Sequence, residues 1–407
     1  FLGCMAVAKF LLFATLAASV VIGVWDHRRK SQQFHERYAD YSARPFSPFR
    51  VENVPELGSL KPFDEQSDKR AAVTGAAGML GGNLVEALLE DGWNVIALHR
   101  KSSDLTALFD LQAKFGNKLS LTIADINDPG QLQGAIPEGL PVVFHVAAVV
   151  GSWFKLNNRM YRSNVLGTRA VVDVCLKQRV GRLVYTSTIA ALQHNHPTDT
   201  PISGSDPLYA LNAWAGYDQT KALAELEVRE GIADGLFATT INPAGILGQY
   251  DQTSFARAVR MLKKGEMPAL SPSTISFDNV KIVARAHVQA AKKGRCGANY
   301  VLGGGPKYNW KQLAGEIGAR IHVNTDLPIL PAAILRPAGV FMDFVSLFTG
   351  KEPTLTADLA NIMTLPEYAI DVSPAVNELG YDPNSEMSAL PVMVGEMIGW
   401  LEKHNKL

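Results

Sequence analysis

Short apolar runs alternate with longer segments of helical period through the middle of the chain. The sequence predicts strands at residues 69–73, 94–98, 119–123, 142–146 and 182–185, and helices at residues 83–90, 164–178 and 217–230. Strands that alternate with helices are typical of a parallel, doubly wound α/β sheet. Ligands of such sheets bind at the carboxyl ends of the strands, so the residues that follow each strand are the candidates for chemistry.

The first 25 residues carry almost no charge. Lys9 is the only charged residue from Phe1 to Trp25, and the segment Asp26–Lys30, with three basic residues, follows at once. A helix of this length would reach about 37 Å, enough to cross a hydrocarbon core of about 30 Å. We predict a transmembrane anchor at residues 1–25 in an organelle or ER-type membrane, with the globular part on the cytoplasmic-equivalent side. A signal peptide is the alternative, although no small-residue cleavage site precedes Asp26.

The segment after this run, residues 26–68, is polar and aromatic, contains four prolines and keeps no strand or helix period. Long structureless stretches are uncommon inside compact domains, so we predict a linker there. The remaining chain is predicted to hold an NADP-binding domain at residues 69–250. A smaller substrate-binding and C-terminal region, interleaved with that domain, is predicted at residues 251–407.

A second apolar stretch, Leu327–Gly350, is interrupted by Pro328, Pro331, Arg336 and Pro337. These interruptions and its length argue against a second membrane span. We expect either a lid over the substrate site or a helix that lies in the membrane interface.

The balance of charged residues indicates which kinds of partner the protein can bind. The 407 residues carry 39 Lys plus Arg and 39 Asp plus Glu, and a chain without basic excess is a poor candidate for binding nucleic acid. Three distant cysteines offer neither a zinc spacing nor a disulfide framework, and Cys175 is predicted to lie in the core. The scattered His99, His194 and His196 do not suggest a metal site, so none is predicted.

A glycine-rich segment links the first predicted strand to the first helix. In this context Gly75 permits a tight turn, Gly78 lets the backbone approach a pyrophosphate, and Gly81 permits close packing of helix and strand. The amino terminus of the helix then offers free N–H groups to phosphate oxygens. The predicted cofactor-binding residues of this loop are Thr74, Gly75, Ala77, Gly78, Met79, Leu80 and Gly81.

Arg100 and Lys101 follow the second predicted strand, where an NAD-preferring site would carry Asp or Glu. Two cations suit the 2′-phosphate of NADP. We therefore predict NADP(H) as the cofactor in preference to NAD(H). The alternative is that both residues belong to a solvated turn.

Tyr217 and Lys221 are four residues apart in a predicted helix and so lie on one face of it. An ammonium group beside a phenol lowers the pKa of the phenol, which lets it pass a proton near neutral pH. Thr186, Ser187 and Thr188 follow a predicted strand and can hold a substrate oxygen. We predict Tyr217, Lys221, Thr188 and Ser187 as catalytic residues, with Ser187 as the fallback for Thr188.

With these motifs, residues 69–405 resemble the extended branch of the short-chain dehydrogenase/reductase superfamily, within the NAD-dependent epimerase/dehydratase group. The chain is most similar to dihydroflavonol-4-reductase-like proteins and 3β-hydroxysteroid dehydrogenases. The resemblance implies a Rossmann-type sheet. It rests on the glycine loop, the Tyr217/Lys221 pair and the segments Asp125-Ile126, Phe144–Phe154, Asn164–Thr168, Thr186–Thr188, Asn242–Ile246 and Leu379–Pro383.

The resemblance also implies further contacts with the dinucleotide. Asp125 would contact the adenine, Asn164 would support the cofactor path from the following helix, and Thr188 would orient the substrate. The residues that would contact or line the cofactor, besides the glycine loop, are Asp125, Ile126, Ala147, Ala148, Asn164, Thr186, Tyr217, Lys221, Asn242, Pro243 and Ile246.

Two positions depart from the family pattern. Asn242 stands where many extended members carry Arg. The segment Val280–Ala284 lacks the acidic pair that usually precedes the Arg-Ala-His sequence.

These observations predict a membrane-anchored, NADP(H)-dependent reductase or dehydrogenase for an apolar ketone or secondary alcohol. Trp153, Phe154, Leu192 and Trp214 lie in the candidate substrate loops, which contain few charges. A basic cluster is predicted to be a solvated helix face rather than a diphosphate site: Arg257, Arg260, Lys263 and Lys264. An NAD-dependent sugar-nucleotide epimerase or dehydratase, and a structural accessory subunit of a membrane complex, are the alternatives. A homodimer is also compatible with the sequence.

Overall fold

The computed structural model describes residues 68–407. The predicted membrane anchor and almost all of the predicted linker lie outside the described residues.

The main sheet contains seven parallel strands in the order β3-β2-β1-β4-β5-β6-β9. Its strands are β1 (Arg70–Thr74), β2 (Asn94–His99), β3 (Leu119–Ile123), β4 (Val142–His145), β5 (Arg182–Thr186), β6 (Ala238–Pro243) and β9 (Asn299–Leu302). The chain order reverses between β1 and β4, which is the switch point of a doubly wound sheet. The predicted α/β class and Rossmann-type sheet are therefore confirmed.

Helices cover both faces of this sheet. Those that precede the C-terminal region are α1 (Met79–Glu90), α2 (Thr106–Phe115), α3 (Pro129–Ala135), α4 (Asn157–Met160), α5 (Gly167–Lys177), α6 (Ala190–Gln193) and α7 (Gly216–Ala233). The later ones are α8 (Phe255–Lys263), α9 (Val280–Lys293), α10 (Trp310–Ile321), α11 (Ala332–Thr349), α12 (Ala357–Ile362), α13 (Ser373–Leu379) and α14 (Leu390–Lys403). Apolar side chains of α1, α9 and α13 fill one core, and those of α3, α5 and α7 fill the other.

One helix begins earlier than its sequence pattern predicts. The helix predicted from residue 164 starts at Asn157, and a π-helical segment, Tyr161–Leu166, connects α4 to α5. A π-helical turn rotates the buried face of a helix, so the spacing of apolar residues changes at that segment. The first turns of the helix therefore do not show the regular helical period in the sequence. The shift leaves Asn164 buried.

The C-terminal region adds a three-stranded sheet in the order β10-β8-β7, formed by β7 (Gly245–Leu247), β8 (Thr274–Asn279) and β10 (Lys307–Asn309). A third apolar core joins this sheet to α8, α10 and α14. Strand β9 and helix α9 come from the same part of the chain but belong to the main sheet layers, so the two parts interleave in space.

Candidate active site

A cleft of about 600 Å³ opens at the carboxyl ends of strands β1 to β6. Its walls come from the glycine loop, the segments that follow each strand, the start of α7, and the loop from Tyr250 to Phe255. In a doubly wound sheet this is the expected place for a ligand. The two parts of the chain thus share one site.

The glycine loop folds tightly because Gly75 and Gly81 carry no side chains. Gly75 has φ +68°, and a Cβ atom there would lie 2.7 Å from Cα of Ala147. A Cβ atom on Gly81 would overlap the carbonyl oxygen of Gly75. Helix α1 begins after Gly78, and no side chain caps its first N–H groups. These residues fit a pyrophosphate bound by backbone N–H groups.

Thr74 lies behind this loop in a buried chain of hydrogen bonds. Its Oγ1 is 2.8 Å from Nδ1 of His145, and Nε2 of His145 is 2.9 Å from Oγ1 of Thr168. The Thr168 hydroxyl donates to the Asn164 carbonyl at 2.6 Å, so His145 Nε2 must donate to Thr168, and His145 Nδ1 accepts from Thr74. Burial lowers the pKa of His145 to about 3, which keeps the ring neutral.

Lys221 occupies the opposite end of this buried network. Its Nζ donates to the hydroxyl of Tyr185 and to the carbonyl oxygen of Thr186, both at 2.7 Å. Thr168 in turn hydrogen-bonds to Tyr185. Burial lowers the pKa of Lys221 to about 7, and the nearby Glu225 acts in the opposite direction. The ammonium group is thus held at the end of β5, beside the cleft.

Tyr217 lies at the start of α7 and lines the cleft together with Ser187 and Thr188. Burial raises the pKa of the Tyr217 phenol, as does the neighbouring Asp218, and a hydrogen bond with Thr188 acts against that rise. The expected lowering by Lys221 is therefore wrong for this structure. The reason is that the Lys221 ammonium is bonded to β5, while removal of the phenol from water dominates its pKa.

Most of the predicted site residues meet in this one cleft. Those that line it are Gly75, Ala77, Gly78, Met79, Leu80, Gly81, Arg100, Asp125, Ile126, Ala147, Ala148, Thr186, Ser187, Thr188, Tyr217, Lys221, Pro243 and Ile246.

Four predicted cofactor residues do not line the cleft. Thr74 is turned toward His145, and Lys101 is exposed beyond the cleft wall. Asn164 bonds the backbone N–H and carbonyl of Val149 at 2.7 and 2.9 Å, so it supports the segment after β4 from behind. Thr74 and Asn164 therefore support the loops around the cleft from behind. Lys101 has no such contact with the cleft wall.

Asn242 is the fourth of these residues and is fully buried. Its Nδ2 donates to Oε1 of Glu225 at 2.6 Å and to the carbonyl of Thr188 at 3.3 Å. The Asn242 side chain therefore links β6 to α7 and to the end of β5, and it does not line the cleft.

The sequence reasoning missed the loop that closes the cleft from the C-terminal side, Tyr250–Phe255. The carboxylate of Asp251 accepts hydrogen bonds from the N–H groups of four residues that follow it: Thr253, Ser254, Phe255 and Ala256. An Asp a few residues before an amphipathic helix is a capping signal that could have located this turn. Also missed were the cleft residues His99, Ser102, Ser103, Asp104, Asn127 and Ser163.

None of the four candidate substrate residues, Trp153, Phe154, Leu192 and Trp214, lines the cleft. Leu192 is fully buried in a satellite core, because α6 turns it away from the cleft. Trp214 packs edge-on against His194 and does not line the cleft. Trp153 instead donates from Nε1 to Oγ of Ser346 at 3.2 Å, which places α11 beside the segment after β4.

The remaining expectations concern metals, the core cysteine and the basic cluster. Cys175 is fully buried, as predicted. His196 bonds Asp206 at 2.9 Å, and within residues 68–407 no group of His, Cys, Asp or Glu could hold a metal ion. Arg257, Lys263 and Lys264 are exposed along α8 and at its end, as predicted, while Arg260 is half-buried and its guanidinium donates to the carbonyls of Gln252 and Lys406, both at 3.0 Å.

A cleft lined by a glycine loop, a buried phenol and an ammonium group is typical of a nicotinamide-dependent oxidoreductase of the short-chain type. Sequence comparison agrees, since the model of the 3-beta hydroxysteroid dehydrogenase/isomerase family matches residues 72–296. The chain belongs to this family.

Individual relatives support the same assignment. Sterol demethylase protein B of Methylococcus capsulatus is 31% identical over 348 residues, covering 82% of this chain and 99% of that protein. A protein of Synechocystis sp. that bears the name of a dihydroflavonol 4-reductase is 30% identical, covering 82% of this chain and 94% of its own length.

Among solved structures, gox2253 superimposes with a TM-score of 0.68 at 26% identity and covers 84% of this chain and all of that one. The dTDP-glucose 4,6-dehydratase DesIV of Streptomyces venezuelae reaches 0.65 at 20% identity, covering 83% of this chain and 98% of that one, a likeness of fold alone.

Proposed function

We propose that the protein is an NADP(H)-dependent reductase or dehydrogenase that interconverts an apolar ketone and its secondary alcohol. The arrangement of Tyr217, Thr188 and Lys221 at one wall of a dinucleotide-sized cleft carries this proposal. The bound nicotinamide supplies the hydride for reduction or accepts it for oxidation.

In the reducing direction, the Tyr217 hydroxyl donates its proton to the carbonyl oxygen as the hydride reaches the carbonyl carbon. A high phenol pKa keeps that proton in place before reaction. The Thr188 hydroxyl also holds the carbonyl oxygen, with Ser187 beside it. The buried ammonium of Lys221 stabilises negative charge at this end of the cleft.

Arg100 supports a preference for NADP(H) over NAD(H), since it lines the cleft at the end of β2. A guanidinium at that position can pair with a 2′-phosphate. We expect NADPH to bind more tightly than NADH. Arg100→Ala should reduce the ratio of the two affinities by about tenfold or more, because a hydrogen bond to a charged group contributes about 1.5–3 kcal/mol.

The measurement is a titration of both cofactors into both proteins. Lys101→Ala is the matched control, because Lys101 is the neighbouring cation and lies outside the cleft wall. Equal affinities for the two cofactors in the wild type would contradict the preference.

Apolar surface near the open end of the cleft supports an apolar substrate. Val149 and Val150 line the cleft, and the neighbouring loop is tied to α11 through Ser346. Five large apolar side chains of α11 are between 39% and 78% exposed: Ile334, Phe341, Val345, Leu347 and Phe348. Such a surface offers little to a diphosphate group.

A sugar-nucleotide substrate is the competing proposal, and it would require cations for the second pyrophosphate. Of the basic cluster on α8, Arg260 is bonded to two carbonyls and Arg257 pairs with Glu352 at 3.5 Å. A structural accessory role has less support, because the Tyr217 and Lys221 side chains both reach the cleft.

A thermal-shift screen in the presence of NADPH separates the two substrate classes. We expect sterol-like or aryl ketones to raise the melting temperature and nucleotide sugars to leave it unchanged. Stabilisation by nucleotide sugars alone would favour the epimerase or dehydratase alternative.

We also propose that the chain is membrane-bound, through the apolar run at residues 1–25 and secondarily through α11. Among the helices of residues 68–407, α11 alone is long and apolar enough to cross a membrane, by length and composition. Pro337 lies inside α11 without ending it, so its expected breaking effect is wrong. Arg336 donates to Oγ1 of Thr364 at 2.8 Å, which ties one side of the helix to the protein and favours a position along a membrane surface.

The full-length protein should therefore stay in the membrane pellet after washes with high salt and with alkaline buffer. An integral anchor resists both treatments, whereas electrostatic attachment is lost in salt. Recovery of the intact protein in the wash supernatant would refute membrane anchoring.

A further inference from the structure

A carboxylate lies in the same loop as Arg100, the residue proposed to pair with the 2′-phosphate. Asp104 lines the cleft in the loop after β2, together with Arg100, Ser102 and Ser103. Acidic residues in this region of a dinucleotide site typically accept hydrogen bonds from the ribose hydroxyls of NAD, and an uncompensated one repels a phosphate. The loop therefore contains one group for each cofactor, Arg100 and Asp104.

The carboxylate of Asp104 is already bonded within the protein. Its Oδ1 accepts hydrogen bonds from the N–H and the hydroxyl of Thr106 at 3.0 and 2.6 Å. Its Oδ2 accepts from Nζ of Lys406, which forms an ion pair with it. These contacts lower the pKa of Asp104 to about 2, although its partial burial opposes that shift, so it is ionised at working pH.

Lys406 is held in place by the other wall of the cleft. Its Nζ also donates to Oε1 of Gln252 at 3.2 Å, and its carbonyl accepts from Nε of Arg260 at 3.0 Å. Nζ lies 5.2 Å above the ring of Trp400, and only 18% of the side chain is exposed. A cation fixed on several sides keeps its partner better than a free surface lysine does.

We infer that Lys406 is a specificity residue for the cofactor, which neutralises Asp104 and so lets Arg100 determine the charge presented to the 2′-position. The formal charges of Lys406 and Asp104 cancel, which leaves Arg100 as the charge that the loop after β2 presents to the cleft. The inference rests on the proposed preference for NADP(H). It extends that preference to Lys406, which is 302 positions after Asp104 in the chain.

The test is the ratio of kcat/KM for NADPH to kcat/KM for NADH in Lys406→Met. Methionine retains the apolar stem and removes the charge. We expect this ratio to fall about three- to tenfold, the effect of one unpaired charge in a partly exposed site, mainly through a higher KM for NADPH. Lys403→Met is the matched control, since Lys403 pairs at 3.0 Å with Asp110, which does not line the cleft.

A second substitution separates charge from structure. Adding Asp104→Asn to Lys406→Met removes the carboxylate and should restore the preference for NADPH toward the wild-type ratio. Lys406→Gln serves if the methionine variant does not fold.

An unchanged ratio in Lys406→Met, an equal loss with both cofactors, or failure of Asp104→Asn to restore the ratio would overturn the inference while the wild type still prefers NADPH. A wild type that uses both cofactors equally would overturn the proposed preference itself, and this inference with it.

Discussion

Tyr217→Phe should lower turnover by about 10²–10⁴-fold, the usual effect of losing a positioned proton donor, while cofactor binding is retained. The substitution removes one hydroxyl and preserves the ring that packs at the start of α7. The phenol lies beside Ser187 and Thr188 in the cleft wall, and an aliphatic hydroxyl is a much weaker acid than a phenol. The loss should therefore appear in kcat and not in the affinity for NADPH.

The measurement combines steady-state turnover of an accepted ketone with a separate titration of NADPH. Tyr209→Phe is the matched control, since Tyr209 packs edge-on against His196 and lies outside the cleft wall. Turnover of Tyr217→Phe at the wild-type rate would show that the Tyr217/Lys221 pair is not catalytic.

Gly81→Ala should weaken both the fold and cofactor binding. The added methyl group would overlap the Gly75 carbonyl oxygen and lie 2.9 Å from Cα of Ala76, so the backbone of the loop must move. Overpacking of this kind costs about 1–3 kcal/mol in the free energy of unfolding. Displaced N–H groups should also raise the Kd of the dinucleotide by about tenfold or more, at about 1.5–3 kcal/mol per hydrogen bond to a charged oxygen.

Denaturant unfolding and a cofactor titration measure the two effects. Gly315→Ala in α10 is the control, because no atom lies within 4 Å of the added Cβ and alanine is the better helix former there. If Gly81→Ala kept wild-type stability and affinity, the loop would not be the tightly packed phosphate site described above.

The local pattern located the first five strands, β1 to β5, because each is a short apolar run between polar turns, but it did not predict the five strands that follow. The predicted strand at 119–123 coincides with β3, the predictions for β2, β4 and β5 differ by one residue at the carboxyl end, and the prediction for β1 is shifted by one residue at both ends. The glycine spacing likewise predicted the loop, since the conformation of Gly75 and the crowding at Gly81 depend on neighbours close in sequence. Helix period was less reliable, as the π-helical segment before α5 shows.

Side-chain direction was harder to predict, because it depends on packing between distant segments. The family resemblance implied that Asn242 touches cofactor, and loop position suggested that Leu192 touches substrate. The carboxylate of Glu225 instead draws Asn242 into the core, and α6 buries Leu192. The Tyr217/Lys221 spacing suggested a lowered phenol pKa, but bonds to Tyr185 and Thr186 direct the ammonium toward β5.

The sequence by itself determined the α/β class, the glycine loop and the Tyr217/Lys221 pair, because these depend on local period and on spacing within one turn of a helix. Only the tertiary structure decided how Lys221 is connected through Tyr185 to the network behind the glycine loop. It also decided that Lys406 neutralises Asp104 at the wall of the cleft. Such contacts join segments far apart in the chain, and the charges involved interact only where the fold brings them within a few ångströms.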